Sequence, residues 1–87
     1  MGESQNQLAA RLAKAATQVQ TGARYEHYKK QTYKVLHLAL REEDCEPCVV
    51  YQAEYGARII FIRPLTSWLE TVEVNGQPTK RFTKISD

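Results

Sequence analysis

The chain has 87 residues, 43% of them apolar and 25% charged, which fits one small domain with a modest core and excludes a two-core protein or a wholly disordered one. Its longest aliphatic or aromatic run, Ile59-Ile60-Phe61-Ile62, falls far short of the roughly 20 apolar residues that span a bilayer, and the N-terminus carries no apolar leader, so a soluble, cytoplasmic protein without membrane contact is expected. The net charge of +2 resides before Tyr25, where Arg11, Lys14 and Arg24 face only Glu3; from there on nine cations balance nine acids, and the body lacks the basic face by which folds usually bind nucleic acid.

Ser4 and Gln7 have the S-x-x-Q spacing of a capping box, in which each side chain satisfies a backbone N–H of the first helical turn. Leu8, Leu12, Ala15, Ala16 and Val19 follow at helical spacing, and Gly22 is a natural stop. Residues 1–24 thus read as an N-terminal helical extension. Its stripe has few large side chains, so it is expected to dock weakly on the body or to fray.

From Gln31 the period changes from helix to strand. Tyr33 to Arg41 is apolar on both faces, Glu42 to Pro47 is a turn, and residues 48–55 restart with Val49, Tyr51, Ala53 and Tyr55 on one face. Gly56-Ala57 leads into Arg58 to Arg63, which should pair antiparallel with it. Pro64 ends that strand. Ser67 with Glu70 repeats the capping spacing, predicting one helical turn that carries Trp68 and Leu69 inward. Thr71 to Val74 alternates, Asn75-Gly76 is a strong turn, and the chain returns through Arg81 to Ile85. Five short strands with no room for crossover helices satisfy their edges best by curling together. The expected class is mainly β: an SH3-like barrel of about five antiparallel strands over residues 25–87, preceded by an α-helix. An exposed edge would allow a weak dimer beside the monomer.

Cys45-Glu46-Pro47-Cys48 has redox spacing, but a strand follows it and acids precede it, both of which raise thiol pKa values. With only His27 and His37 as further ligands it makes a poor zinc site. Incidental reduced cysteines are expected, with no metal and no cofactor. No G-x-S-x-G element or glycine-rich phosphate loop occurs, and the acidic run from Glu42 to Glu46 lacks the pattern of a calcium loop. Catalytic residues are therefore not assigned; the weak enzymatic alternative is His27 as a base near Glu70 or Arg63. His37, between Val35 and Ala39, reads as a packed core histidine.

Tyr25-Glu26-His27-Tyr28-Lys29 differs in kind, since two phenols, an imidazole and an ammonium can stack on, donate to and accept from a ligand. Tyr25 and Tyr28 could equally seal the end of a barrel with their hydroxyls bonded to backbone. Arg63-Pro64 and Arg81-Phe82 place guanidinium groups at strand ends, suited to clamping a carboxylate or phosphate, or to pairing with Glu70 or Glu73.

Across residues 25–85 the chain resembles a small bacterial family of unknown function, DUF1653. The resemblance rests on Tyr25-x-His27-Tyr28-Lys29, Tyr33-x-Val35, Glu46-Pro47, Val49-Val50-Tyr51-x-x-x-Tyr55-Gly56, Arg63-Pro64, Glu70-x-Val72, and Gly76 followed by Arg81-Phe82. It implies an SH3-type barrel and no established activity. The chain departs from the family pattern at Lys30, where a glycine is usual, at Arg41-Glu42-Glu43-Asp44, and at Cys45 and Cys48, where aliphatic residues are usual.

The leading expectation is a noncatalytic binding module in which Tyr25, His27, Tyr28, Tyr51, Arg63, Trp68 and Arg81 line an aromatic and cationic groove for a peptide or small anionic ligand. The alternative is RNA or single-stranded DNA binding, with the aromatics as stacking platforms and Arg11, Lys14 and Arg24 as the electrostatic arm.

Overall fold

A computed structural model describes residues 4–87; positions 1–3 of the expected extension, Glu3 among them, lie outside the described residues. Its elements in chain order are α1 (Gln5–Ala16), β1 (Arg24–His27), β2 (Thr32–Leu40), β3 (Pro47–Ala53), β4 (Ile60–Pro64), α2 (Leu65–Trp68), β5 (Thr71–Val74), β6 (Gln77–Lys80) and β7 (Phe82–Ser86). The chain is mainly β with one N-terminal helix, as its patterning predicts. No helix among the described residues is long and apolar enough to cross a membrane.

The start of α1 follows its sequence signal. The Ser4 hydroxyl accepts from the Gln7 N–H at 3.2 Å, and the Gln7 side chain accepts from the Ser4 N–H at 2.8 Å, so the capping box is complete. The helix ends before Gly22, at a Thr17 cap whose hydroxyl donates to the Lys14 carbonyl. A turn then carries Val19 inward. Gly22 sits at φ +86°, open to a residue without Cβ, and donates its N–H to the Val35 carbonyl at 2.8 Å, while the Val35 N–H donates to the Ala23 carbonyl at 3.0 Å. Ala15, Val19 and Ala23 are at most 1% exposed and share one buried cluster with strand residues such as Val35 and Val49. The segment is therefore docked rather than frayed: small side chains allow close approach, and the turn adds backbone bonds to β2.

Five strands form one antiparallel sheet in the order β4-β3-β2-β1-β7. β5 and β6 form a separate hairpin across Asn75-Gly76, whose φ values of +52° and +78° are those of a two-residue turn with both residues left-handed. Patterning finds β2, β3, β4, β5 and β7 but not β1 or β6; the partner of β5 is Gln77–Lys80 rather than the stretch from Arg81. The barrel is not closed by hydrogen bonds, because β4 and β7 remain the two edges. Side chains span that gap instead: the Arg63 guanidinium of β4 lies 5.6 Å from the centre of the Phe82 ring of β7.

Two local expectations are corrected. A β-bulge at Leu36 shifts the β2–β3 register between the Val35↔Tyr51 and His37↔Val50 pairs. Tyr33, Val35 and Leu38 consequently pack on the core, while His37 is exposed and is no core histidine. The second correction concerns Ser67, which caps nothing. α2 starts after Pro64, whose ring offers no cap, and Ser67 lies inside the helix, where its hydroxyl accepts from Arg63; Trp68 turns in as predicted and Leu69 stays exposed.

Candidate functional site

The aromatic residues converge, and their centre is Phe82. Its ring stacks on Trp68 with centroids 3.6 Å apart and planes 4° from parallel. Tyr51, His27 and Tyr33 meet it edge-on at 5.7, 5.0 and 6.0 Å, geometries that place ring edges against π faces. β1, β3 and β7 supply alternating inward positions, and α2 drops Trp68 over them.

The guanidinium groups are held at the rim. Arg63 donates from Nε to the Tyr51 hydroxyl at 3.3 Å and from Nη1 to the Ser67 hydroxyl at 2.9 Å. Both partners are neutral, and Arg63 has no carboxylate partner among the described residues. Arg81 differs: its Nε donates to the Ser67 carbonyl at 3.1 Å, and its Nη2 pairs with Glu70 at 2.8 Å. His27 lies between the rings and the cations. Partial burial pushes its imidazole below the usual value, and the positive fields of Arg63, Arg81 and Lys29 push it in the same direction. Its Nδ1 accepts from the Lys29 N–H at 3.1 Å, so the neutral ring carries its proton on Nε2, a donor. On the far side of the cluster Tyr33 and Tyr55 share a hydroxyl–hydroxyl bond of 2.7 Å; burial, followed by that bond, pushes Tyr33 up to about 12.

Of the residues picked out in the sequence, Tyr25, Tyr51 and Trp68 are buried in the cluster, and His27, Tyr28, Arg63 and Arg81 stand half-buried around it. The Tyr25 hydroxyl accepts from the Gln20 N–H at 2.9 Å, the sealing role open to it from the start. Tyr28 packs on His27 with centroids 4.5 Å apart, and its N–H donates to the Arg81 carbonyl at 2.9 Å. For the enzymatic alternative, Arg81 occupies Glu70, and the His27 ring lies against Phe82 and Tyr28. Phe82 itself, visible in the sequence only as the neighbour of Arg81, is the central residue that sequence reasoning left out.

A cleft of about 260 Å³ opens on the other side of the Trp68–Phe82 stack, with Lys80 and Lys84 on its rim. A second, of about 370 Å³, runs between α1 and α2 past Arg11 and Lys14, and both clefts include Gln18 and Leu69. Arg24 is drawn away from any such path by its ion pair with Glu54 at 2.9 Å. Cys45 and Cys48 are both free thiols; burial pushes the Cys48 thiol up, partly opposed by Arg41. Asp44 in the acidic turn is held down at about 2 by its hydrogen bond with Arg41. No cluster of three or more His, Cys, Asp or Glu side chains suited to a metal occurs among the described residues.

No curated protein matches the chain. A crystal structure of a DUF1653 protein from Bordetella bronchiseptica is similar, with 34% identity and a TM-score of 0.70 over 79% of this chain and 91% of that one. The family model described as "Protein of unknown function (DUF1653)" matches residues 23–84, which takes in every strand from β1 to β6, the aromatic cluster and both rim arginines. The chain therefore belongs to the DUF1653 family.

Proposed function

We propose that the protein is a noncatalytic binding module that accepts a small anionic group, a carboxylate or a phosphate, at the Arg63–His27 end of the aromatic cluster. The observation that carries this reading is Arg63. Its half-buried guanidinium is held in place by two hydroxyls and the Phe82 ring, and nothing of opposite charge neutralises it among the described residues. A cation fixed by neutral partners is pre-organised for an anion, since its orientation is already determined before the ligand arrives. The Nε2–H of neutral His27 and the Lys29 ammonium add a donor and a charge nearby, and Arg81 is already committed to Glu70.

Titration with phosphate and with a short peptide bearing a free carboxylate tests the reading, followed by NMR of the His27 ring and the Tyr51 and Phe82 resonances. Saturable shifts confined to these residues and abolished in Arg63→Gln support it. Shifts scattered over the sheet, or equal in the variant, would reject it. Anion binding also raises the His27 pKa toward its ordinary value, a change that simple packing does not produce.

One observation favours nucleic acid as a second ligand class: the two clefts, which share Gln18 and Leu69 in their linings, carry Arg11, Lys14, Lys80 and Lys84. Oligonucleotide affinity that falls steeply with salt and with neutralisation of Lys14 and Lys80 supports this reading. It stands second because Tyr25, Tyr51 and Trp68 are covered and offer no open face on which bases stack.

A further inference from the structure

At the β4 edge of the sheet four consecutive large apolar residues stand in solvent: Ile59, Ile60, Phe61 and Ile62 are 54%, 56%, 42% and 63% exposed. Their backbone phase is fixed by β3. The Ala53 N–H donates to the Ile59 carbonyl at 3.0 Å, and the register runs on through Tyr51↔Phe61. Because hydrogen-bonded and non-bonded pairs alternate along an antiparallel ladder, residues 59, 61 and 63 turn their backbone groups to β3. Ile60 and Ile62 therefore direct theirs away from the sheet. No charged residue interrupts positions 59–62, although charges are the usual means of blunting an edge.

We infer that β4 pairs antiparallel with β4 of a second copy of this chain across a twofold axis through Phe61. The outward groups are symmetric about that residue. Pairing Ile60 with Ile62 of the second copy creates the reciprocal pair automatically, giving four backbone hydrogen bonds and a self-complementary contact. Phe61 then faces its own copy in the closer, non-bonded type of pair, where aromatic side chains interact best. Isoleucines of both copies make one apolar strip on the outer face, and the uncharged run meets an equally uncharged partner. Pro64, without an N–H, ends the ladder. Taking ~200 Å² as the full area of a large side chain, the four exposures supply roughly 400 Å² per copy, about half of the per-partner area of a standard stable interface. The dimer is consequently weak and concentration-dependent. It joins two five-stranded sheets into one of ten strands, with both Arg63 side chains on the same face.

Sedimentation velocity and amide hydrogen exchange between micromolar and millimolar concentration test the pairing. The expected result is a sedimentation coefficient that rises with concentration, together with about ten-fold slower exchange at Ile60 and Ile62, while Phe61, already bonded within its own sheet, is unchanged. Ile62→Pro removes one outward N–H without touching the β3–β4 bonds, and Ile62→Lys adds charge to the edge; each raises the dissociation constant at least about ten-fold. A monomer at millimolar concentration overturns the inference. So does association that leaves the two amides unchanged or survives both substitutions, and so does slowing that appears only when an extended foreign peptide is added. Should a variant fail to fold, exchange in the unaltered protein decides.

Discussion

The only two phenylalanines of the chain lie on opposite edges of the sheet and have opposite fates. Phe82 on β7 is 6% exposed and Phe61 on β4 is 42% exposed. Phe82 is flanked by Arg81, Thr83 and Lys84, the context of a surface strand, whereas Phe61 sits in the most apolar run of the protein. What separates them is what folds on top. α2 and the hairpin follow β4, and they return the chain so that Trp68 stacks on Phe82; Phe61 is met by the tilted Tyr51 ring at 5.8 Å, with no stacked ring over it among the described residues. Burial here is decided by the connection, not by the local run of apolar residues.

Truncation of the two rings tests that contrast most strongly. Phe82→Ala should cost about 3–5 kcal/mol, the range for a large aromatic removed from a core, and in a protein of this size that approaches the whole of the stability. Phe61→Ala should cost about 1–2 kcal/mol, because its ring is only partly withdrawn from water. Urea unfolding measures both, and equal losses would abolish the distinction. Val19→Ala extends the test to the segment before β1: two buried methyl groups at ~0.8 kcal/mol each predict a loss of about 2 kcal/mol, whereas a frayed extension would lose nothing.

Smaller effects sharpen the same picture near Phe82. Lys30 adopts φ +84° in the turn that joins β1 to β2, closed by its N–H to the His27 carbonyl at 2.7 Å. Glycine adopts this left-handed conformation without the strain that a Cβ brings. Lys30→Gly should therefore raise stability by about 0.5–1 kcal/mol, read as a higher urea midpoint. The smallest effect concerns pH. Since folding lowers the His27 pKa, the unfolded chain binds the proton more tightly; stability is full above pH ~6.5 and declines as the pH falls below it toward the folded value. His27→Gln should flatten that decline, and substitutions at the exposed Ile60 and Ile62 of β4 should leave it unaltered.

The helix start and most of the strands were legible because they obey rules that act over a few residues: a capping box at Ser4, alternation from Val49 to Ala53, and the Asn75-Gly76 turn. β1 and β6 were not. Arg24–His27 has a single buried side chain, Tyr25, and exists as a strand because β2 and β7 pair with it on either side. Gln77–Lys80 buries none and is held by the turn that precedes it. The site was half legible for a similar reason. Tyrosine, histidine and arginine announce their chemistry by type, so Tyr51, His27 and Arg63 could be named; that Phe82 gathers them depends on a contact spanning the two sheet edges, which no local pattern encodes. Ser67 illustrates the reverse error, a spacing that suits a cap but a hydroxyl recruited by Arg63.

The bulge at Leu36 makes β2 sensitive in an unusual way. One surplus residue puts the strand out of step with itself, so Tyr33 and Val35 reach the interior on odd positions and Leu38 on an even one. Deleting or adding a residue anywhere else in the strand would shift one half against the other and send it to the wrong side, however conservative the remaining sequence. Evolution and engineering can exchange side chains along β2 with modest penalties, yet a change of length by one should be far harder to accommodate there than in the loop between β3 and β4.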